Sequence, residues 1–126
     1  MAWWSKIFGG GSGGGERKRV DAATAAQLQR DGAVLVDVRE QSEWSAGRAP
    51  QARHIPLGQL ESRMSRELST SKTILTICRS GGRSARAAST LRRAGFTVID
   101  VKGGMIAWQA AGLPVVASGG RPGRTA

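Results

Sequence analysis

The sequence predicts an α/β fold in three layers, with a central, mainly parallel β-sheet flanked by helices. Three observations carry that expectation. Short apolar runs rich in β-branched residues recur at Ala33-Val-Leu-Val-Asp-Val38, Thr73-Ile-Leu-Thr-Ile-Cys78 and Thr97-Val-Ile-Asp-Val101. Runs of that length without alternation suit strands buried on both faces, the condition of a parallel sheet. Segments rich in helix formers lie between them, and the connections are short, which is the pattern of βα units. No internal repeat interrupts it.

The elements follow in order. Asp21 offers an N-cap carboxylate, Ala22–Arg30 is rich in helix formers, and Gly32 stops that helix. The run 33–38 is the first strand. Gln41–Ala46, closed by Gly47, predicts a short helix carrying Trp44. Pro50 and Pro56 bracket an extended piece, Ala52–Ile55. Leu57, Leu60, Met64 and Leu68 recur at spacings of three and four, an amphipathic helix. Thr73–Cys78 is the second strand, and a loop leads to a helix opening at Ser84, with Ala87, Leu91 and Ala94 on its apolar stripe. Gly95 ends that helix. Thr97–Val101 is the third strand, Gly103-Gly104 a turn, and Met105–Ala111 a last helix stopped by Gly112-Leu-Pro114.

Composition divides the 126 residues into a body, 20–117, and two tails. The tails, 1–19 and 118–126, hold 9 of the 18 glycines, including the run Gly9–Gly15, and are expected to be flexible because such chain has little to bury. They also carry five of the ten net positive charges. The excess charge therefore argues less for nucleic acid than its total suggests, and no aromatic–basic interleaving in the body supports a specific nucleic-acid partner. No apolar run approaches the roughly 20 residues of a membrane span, and the first eight residues do not read as a secretory signal. A cytoplasmic protein is expected. Trp3, Trp4, Ile7 and Phe8 could touch a protein or a membrane surface, against the plainer expectation of a disordered terminus. One cysteine and one histidine leave no internal disulfide and no multi-cysteine metal site, so no metal is expected.

Chemistry concentrates at one place. Ligands of open parallel sheets bind beyond the carboxyl ends of strands. Cys78 ends a buried strand there, and Arg79, Ser80, Gly81, Gly82 and Arg83 lead to the helix that Ser84 opens. Glycines accept positive φ and let successive backbone N–H groups form an anion-binding nest, to which the helix N-terminus adds its dipole. Thiolate sulfur, not the thiol, is the nucleophile, and Arg79 and Arg83 are placed to favour negative charge or to fork onto an oxyanion. A lone cysteine is most often a small buried hydrophobe; the loop that follows this one reverses that reading.

Val34-Leu-Val-Asp-Val-Arg-Glu40, Glu43-Trp44, Ile55-Pro-Leu57, Cys78-Arg-Ser-Gly-Gly-Arg-Ser84, Ala94-Gly-Phe96 and Gly103-Gly-Met-Ile-Ala-Trp108 together resemble a single-domain rhodanese, over almost the whole body and in the family's order. The resemblance implies the rhodanese fold and a sulfurtransferase without metal or organic cofactor. Cys78 would take sulfane sulfur from a small anionic donor such as thiosulfate. As a persulfide it would pass that sulfur to cyanide, a thiol or a protein cysteine. Arg79, Ser80, Gly81, Gly82, Arg83 and Ser84 would bind the substrate. With no second cysteine, the acceptor must be another molecule. Two alternatives stand beside this reading. One is a rhodanese-like phosphatase or arsenate reductase, disfavoured because rhodanese-like phosphatases have a loop one residue longer than Cys78–Arg83; the other is a non-catalytic rhodanese-like binding module, which would not need the intact cysteine.

One stretch departs from the family. Gly47-Arg-Ala-Pro-Gln-Ala52 stands where Gly-His-Ile-Pro-Gly-Ala is frequent, so Arg48 replaces a histidine and Gln51 a glycine. Asp37 and Arg39 read best as a buried ion pair at a strand end, because buried charges need partners. His54 reads as structural or surface, Trp44 and Trp108 as core aromatics with Trp108 able to flank the pocket. Lys102 precedes the Gly103-Gly104 turn at an unplaced distance from the loop.

Overall fold

Five parallel strands build one sheet in the order β1-β5-β4-β2-β3. The computed structural model describes residues 18–118 and 122–123; the expectations for the aromatic N-terminal segment and its Gly/Ser run lie outside them. In chain order the elements are β1 (Arg19–Val20), α1 (Ala22–Arg30), β2 (Val34–Asp37), α2 (Gln41–Ala46) and β3 (Arg53–His54). A 3-10 turn (Leu57–Gln59) leads into α3 (Leu60–Glu67), followed by β4 (Thr73–Ile77), α4 (Gly82–Arg93), β5 (Thr97–Val101) and α5 (Gly104–Ala110).

Alternation along the strands sorts the core into two layers. Leu35, Leu75, Ile77, Ile99 and Val101 pack with Ala25 and Leu28 of α1 and Met105 and Trp108 of α5. Their neighbours Val36, Ile74 and Val98, with Val38 and Cys78 just past β2 and β4, pack on the other face with Leu60 of α3 and Ala87 and Leu91 of α4. Period-two geometry forces that division. Every residue of central β4 is buried, which is why its sequence reads as an unbroken apolar run.

Helix boundaries follow their caps. Asp21 Oδ1 accepts the Thr24 N–H at 2.8 Å, opening α1 as its sequence predicts. The amphipathic segment after Pro56 is shorter than expected as α-helix, because its first turn is 3-10. Another shift is at α4, which begins at Gly82 rather than at Ser84. Two-residue β1 was not anticipated; it is an edge strand registered Arg19 to Asp100 and Val20 to Val101 on β5, too short to leave a periodic pattern. Near the carboxyl end, Val116 exchanges backbone hydrogen bonds with Arg48, and the Gly123 N–H donates to the Val115 carbonyl at 3.0 Å.

Candidate active site

Strand β4 delivers Cys78 to the carboxyl edge of the sheet, on the face covered by α4, with its side chain almost fully enclosed at 1% exposure. The chain then turns sharply enough for the Gly81 N–H to donate back to the Cys78 Sγ at 3.1 Å. Gly81 is the N-cap of α4, and its φ of 124° is a conformation that L side chains avoid. Gly82 is ordinary helix with open space where a Cβ would stand. Of the two glycines expected to form a nest, only Gly81 has a positive φ, and Gly82 belongs to the first turn of α4. Ser84, fully buried, brings its Oγ to 3.4 Å from Sγ and donates to the Gly81 carbonyl at 3.2 Å. Arg79 and Ser80 form the exposed crest of the loop.

The loop is held from behind. The N–H groups of Met105 and Ile106 donate to the carbonyls of Cys78 (2.7 Å) and Arg79 (3.1 Å). Loop carbonyls are thereby turned toward α5 while the Gly81 N–H faces sulfur, which favours negative charge at Sγ. Such close backbone approach needs Gly104: at φ 58°, a Cβ there would stand 2.5 Å from the Arg79 carbonyl oxygen. In the sequence Gly103-Gly104 reads as a turn and as part of a family motif, with no contact assigned to it. The doubled glycine ahead of a helix was the signal available, but nothing in it says which loop the backbone approaches. Lys102 is exposed beyond β5 and lines a groove with Gly103 and Ala107.

Arg83 is partnered within the protein. Its Nη1 and Nη2 meet the Glu43 Oε1 and Oε2 at 2.6 and 2.9 Å, a two-point pair from α4 to α2. The hydrogen bonds from Arg83 are the main reason that the Glu43 carboxyl is held down at about 2 from its ordinary 4.5. The Arg83 guanidinium is pushed up, chiefly by Glu43 and in smaller part by the charge of Cys78. Glu43 had entered the sequence reading only as part of a motif; its role depends on a contact across 40 residues of chain.

At the end of β2, Asp37 and Arg39 form the buried pair expected for them, both side chains fully enclosed and Nη2 to Oδ2 at 2.7 Å. Arg39 continues to the Gly47 carbonyl at 2.7 Å and the Glu43 carbonyl at 3.3 Å, so it clamps both ends of α2's second half. His54 lies with Nε2 2.7 Å from the Arg39 carbonyl and its ring stacked on Trp44, centroids 4.6 Å apart. Trp44 is half-buried, not a core aromatic, and the Arg48 guanidinium lies over its ring at 4.8 Å from the centroid. Trp108 is core, 2% exposed, with Nε1 donating to the Pro114 carbonyl; the loop is hydrogen-bonded to α5 through the backbone of Met105 and Ile106. Among the described residues there is no cluster of three or more potential metal ligands, and no helix is long and apolar enough to cross a membrane.

Known proteins resemble this chain in sequence and fold. The family model described as "Rhodanese-like domain" matches residues 21–111. A sulfurtransferase of Allochromatium vinosum is 36% identical over 104 residues, covering 80% of this chain and 96% of that protein. A chloroplastic thiosulfate sulfurtransferase of Arabidopsis thaliana is 35% identical over 118 residues, covering 81% and 98%. Among solved structures, a rhodanese-related protein of Thermoplasma volcanium superposes with a TM-score of 0.73 at 31% identity, over 79% of this chain and 97% of that one. With its sheet order, its cysteine loop and a family match spanning nearly all of the body, this chain belongs to the rhodanese-like domain family.

Proposed function

We propose that the protein transfers sulfane sulfur from thiosulfate or a related donor to a thiophilic acceptor through a persulfide on Cys78. The Cys78 thiolate attacks the outer sulfur of the donor. A new S–S bond forms on Sγ as the donor's own S–S bond breaks, and with thiosulfate the sulfite leaves with the electron pair. Cyanide, a thiolate or a protein cysteine then attacks the terminal sulfur, and Cys78 departs as thiolate. No net redox change or external base is required.

One observation supports this reading above the others: the Gly81 N–H aimed at Sγ from 3.1 Å. It lies at the N-terminus of a 12-residue helix, so a thiolate or a persulfide anion meets a donor and a positive dipole end without reorganisation. The Ser84 hydroxyl, 3.4 Å from Sγ, accepts from the thiol while donating to the Gly81 carbonyl, and becomes a second donor to an ionised sulfur by turning its one hydrogen from that carbonyl. Arg79, Ser80 and Gly82 line the path of the donor, and Arg83 supplies charge from behind its pair with Glu43. The six-residue loop from Cys78 to Arg83 fits a sulfur better than the larger phosphate group. A nucleophile that works as a free thiol suits a reducing compartment such as the cytoplasm.

The test is direct. Protein incubated with thiosulfate is expected to gain one sulfur by mass spectrometry and to release thiocyanate on addition of cyanide, and Cys78→Ser is expected to lose both. Wild-type protein that never gains sulfur, or turnover that survives the substitution, overturns the proposal.

A further inference from the structure

We propose that Glu43 is a specificity-determining residue: it occupies Arg83 and places a fixed negative charge beside the loop, so that doubly charged anions bind poorly and singly charged sulfur carriers are favoured. The purpose of that selection rests on the sulfurtransferase reading above; the binding preference itself does not.

The geometry is that of a site already provided with its own anion. Both Glu43 oxygens lie on one edge of the Arg83 guanidinium, at 2.6 and 2.9 Å. That edge would otherwise grip two oxygens of a tetrahedral oxyanion. Glu43 is also held where it stands. Its Oε1 accepts the Glu40 N–H at 2.9 Å, and its carbonyl and that of Gly47 are both taken by buried Arg39. Swinging the carboxylate away would expose Arg83 only by breaking the capping box of α2.

Charge makes the selection. Glu43 stays ionised throughout the neutral range because Arg83 holds its carboxyl at about 2. Arg83 stands in the first turn of α4, between Gly81, whose N–H donates to Sγ, and Ser84, whose Oγ is 3.4 Å from it, so the carboxylate paired with Arg83 acts on an anion bound over the sulfur. Repulsion grows with the guest's charge, twice as strong for a dianion as for a monoanion at the same distance. A persulfide anion on Cys78 needs only the Gly81 N–H, the Ser84 hydroxyl and the helix end. A phosphate, sulfate or arsenate needs the guanidinium edge that Glu43 holds.

Protection of Cys78 from iodoacetamide by added anions tests this without requiring turnover. Inorganic phosphate is expected to protect Glu43→Gln at a concentration lower than wild type by roughly tenfold or more, whereas formate, a monoanion, changes far less. Adding Arg83→Gln to Glu43→Gln is expected to remove the gain, and Glu61→Gln, which deletes an exposed carboxylate of α3, to produce none. The KM for thiosulfate is expected to fall in Glu43→Gln with kcat little changed. Glu43→Asp, which shortens the reach to Arg83, gives an intermediate gain and serves as the test if Glu43→Gln does not fold. Equal phosphate protection of wild type and the Glu43 variants, or an equal gain in Glu61→Gln, overturns the proposal. Failure of Cys78 to load sulfur in every variant would instead overturn the sulfurtransferase reading, with the alkylation result standing apart from it.

Discussion

Two arginine–carboxylate pairs, one at the end of β2 and one between α2 and α4, do opposite work in this molecule. Asp37 and Arg39 are separated by one residue, both wholly enclosed, and every favourable partner of the guanidinium is internal. Glu43 and Arg83 join distant segments, and their side chains remain 16% and 34% exposed. The first pair has no access to anything arriving from solution, so its energy goes into fixing the chain that carries α2. The second lies against the cysteine loop within reach of solvent, so its energy can be exchanged for that of a bound anion. Burial, rather than residue type, separates a structural ion pair from an adjustable one. The two are also coupled in series, since Arg39 holds the backbone of the residue whose carboxylate holds Arg83.

The sharpest way to break the comparison is at the buried pair. Arg39→Met leaves the Asp37 carboxylate enclosed and uncompensated, and should cost about 3–5 kcal/mol in urea unfolding; a loss no larger than that at Glu43 would show the two pairs to be equivalent. Gly104→Ala comes next. Its new Cβ meets the Arg79 carbonyl in a left-handed backbone, so we expect a stability loss of about 2–4 kcal/mol together with slowed sulfur loading of Cys78 in single-turnover measurements. Glu43→Gln should cost only about 1–2 kcal/mol, between an exposed pair and a buried one.

The outer pair also predicts a pH dependence. The Glu43 carboxyl lies at about 2 in the folded protein against an ordinary 4.5. The unfolded chain therefore takes up this proton first on acidification. The stabilisation is complete above 4.5 and disappears as the pH falls through about 2. Stability curves of wild type and Glu43→Gln should converge over that interval and run parallel above it. The smallest effect has the opposite sign. Gln51 holds φ at 63° on an exposed turn, a position where the family often has glycine, and Gln51→Gly is expected to raise stability by about 0.5–1 kcal/mol in the same urea titration. A loss there would mean that the glutamine side chain makes up for its backbone strain.

Legibility followed from how locally each feature is encoded. Strands β2, β4 and β5 were readable because burial on both faces writes a continuous apolar run. Edge strand β1 was not, since two residues at the sheet margin owe their conformation to hydrogen bonds from β5 and not to any pattern of their own. Trp44 was misjudged as core because an aromatic side chain does not reveal that its cover is an arginine and a histidine ring. The start of α4 moved two residues upstream because a single left-handed residue, Gly81, completes the turn and frees Gly82 to be helical.

By itself the sequence determined the α/β class, the family resemblance and the place where chemistry is concentrated, because a buried strand, its terminal cysteine and the Gly-Gly loop are contiguous. It placed a paired role on Asp37 and Arg39 for the same reason, with one residue between them. Only the tertiary structure decided what that loop is fastened to. Gly104 reaches the carbonyls of Cys78 and Arg79 across the chain crossing from β5 to α5, and Glu43 reaches Arg83 between two helices 40 positions apart. Contacts of that range are fixed by how the layers pack, and packing distance leaves no trace in the order of residues along the chain.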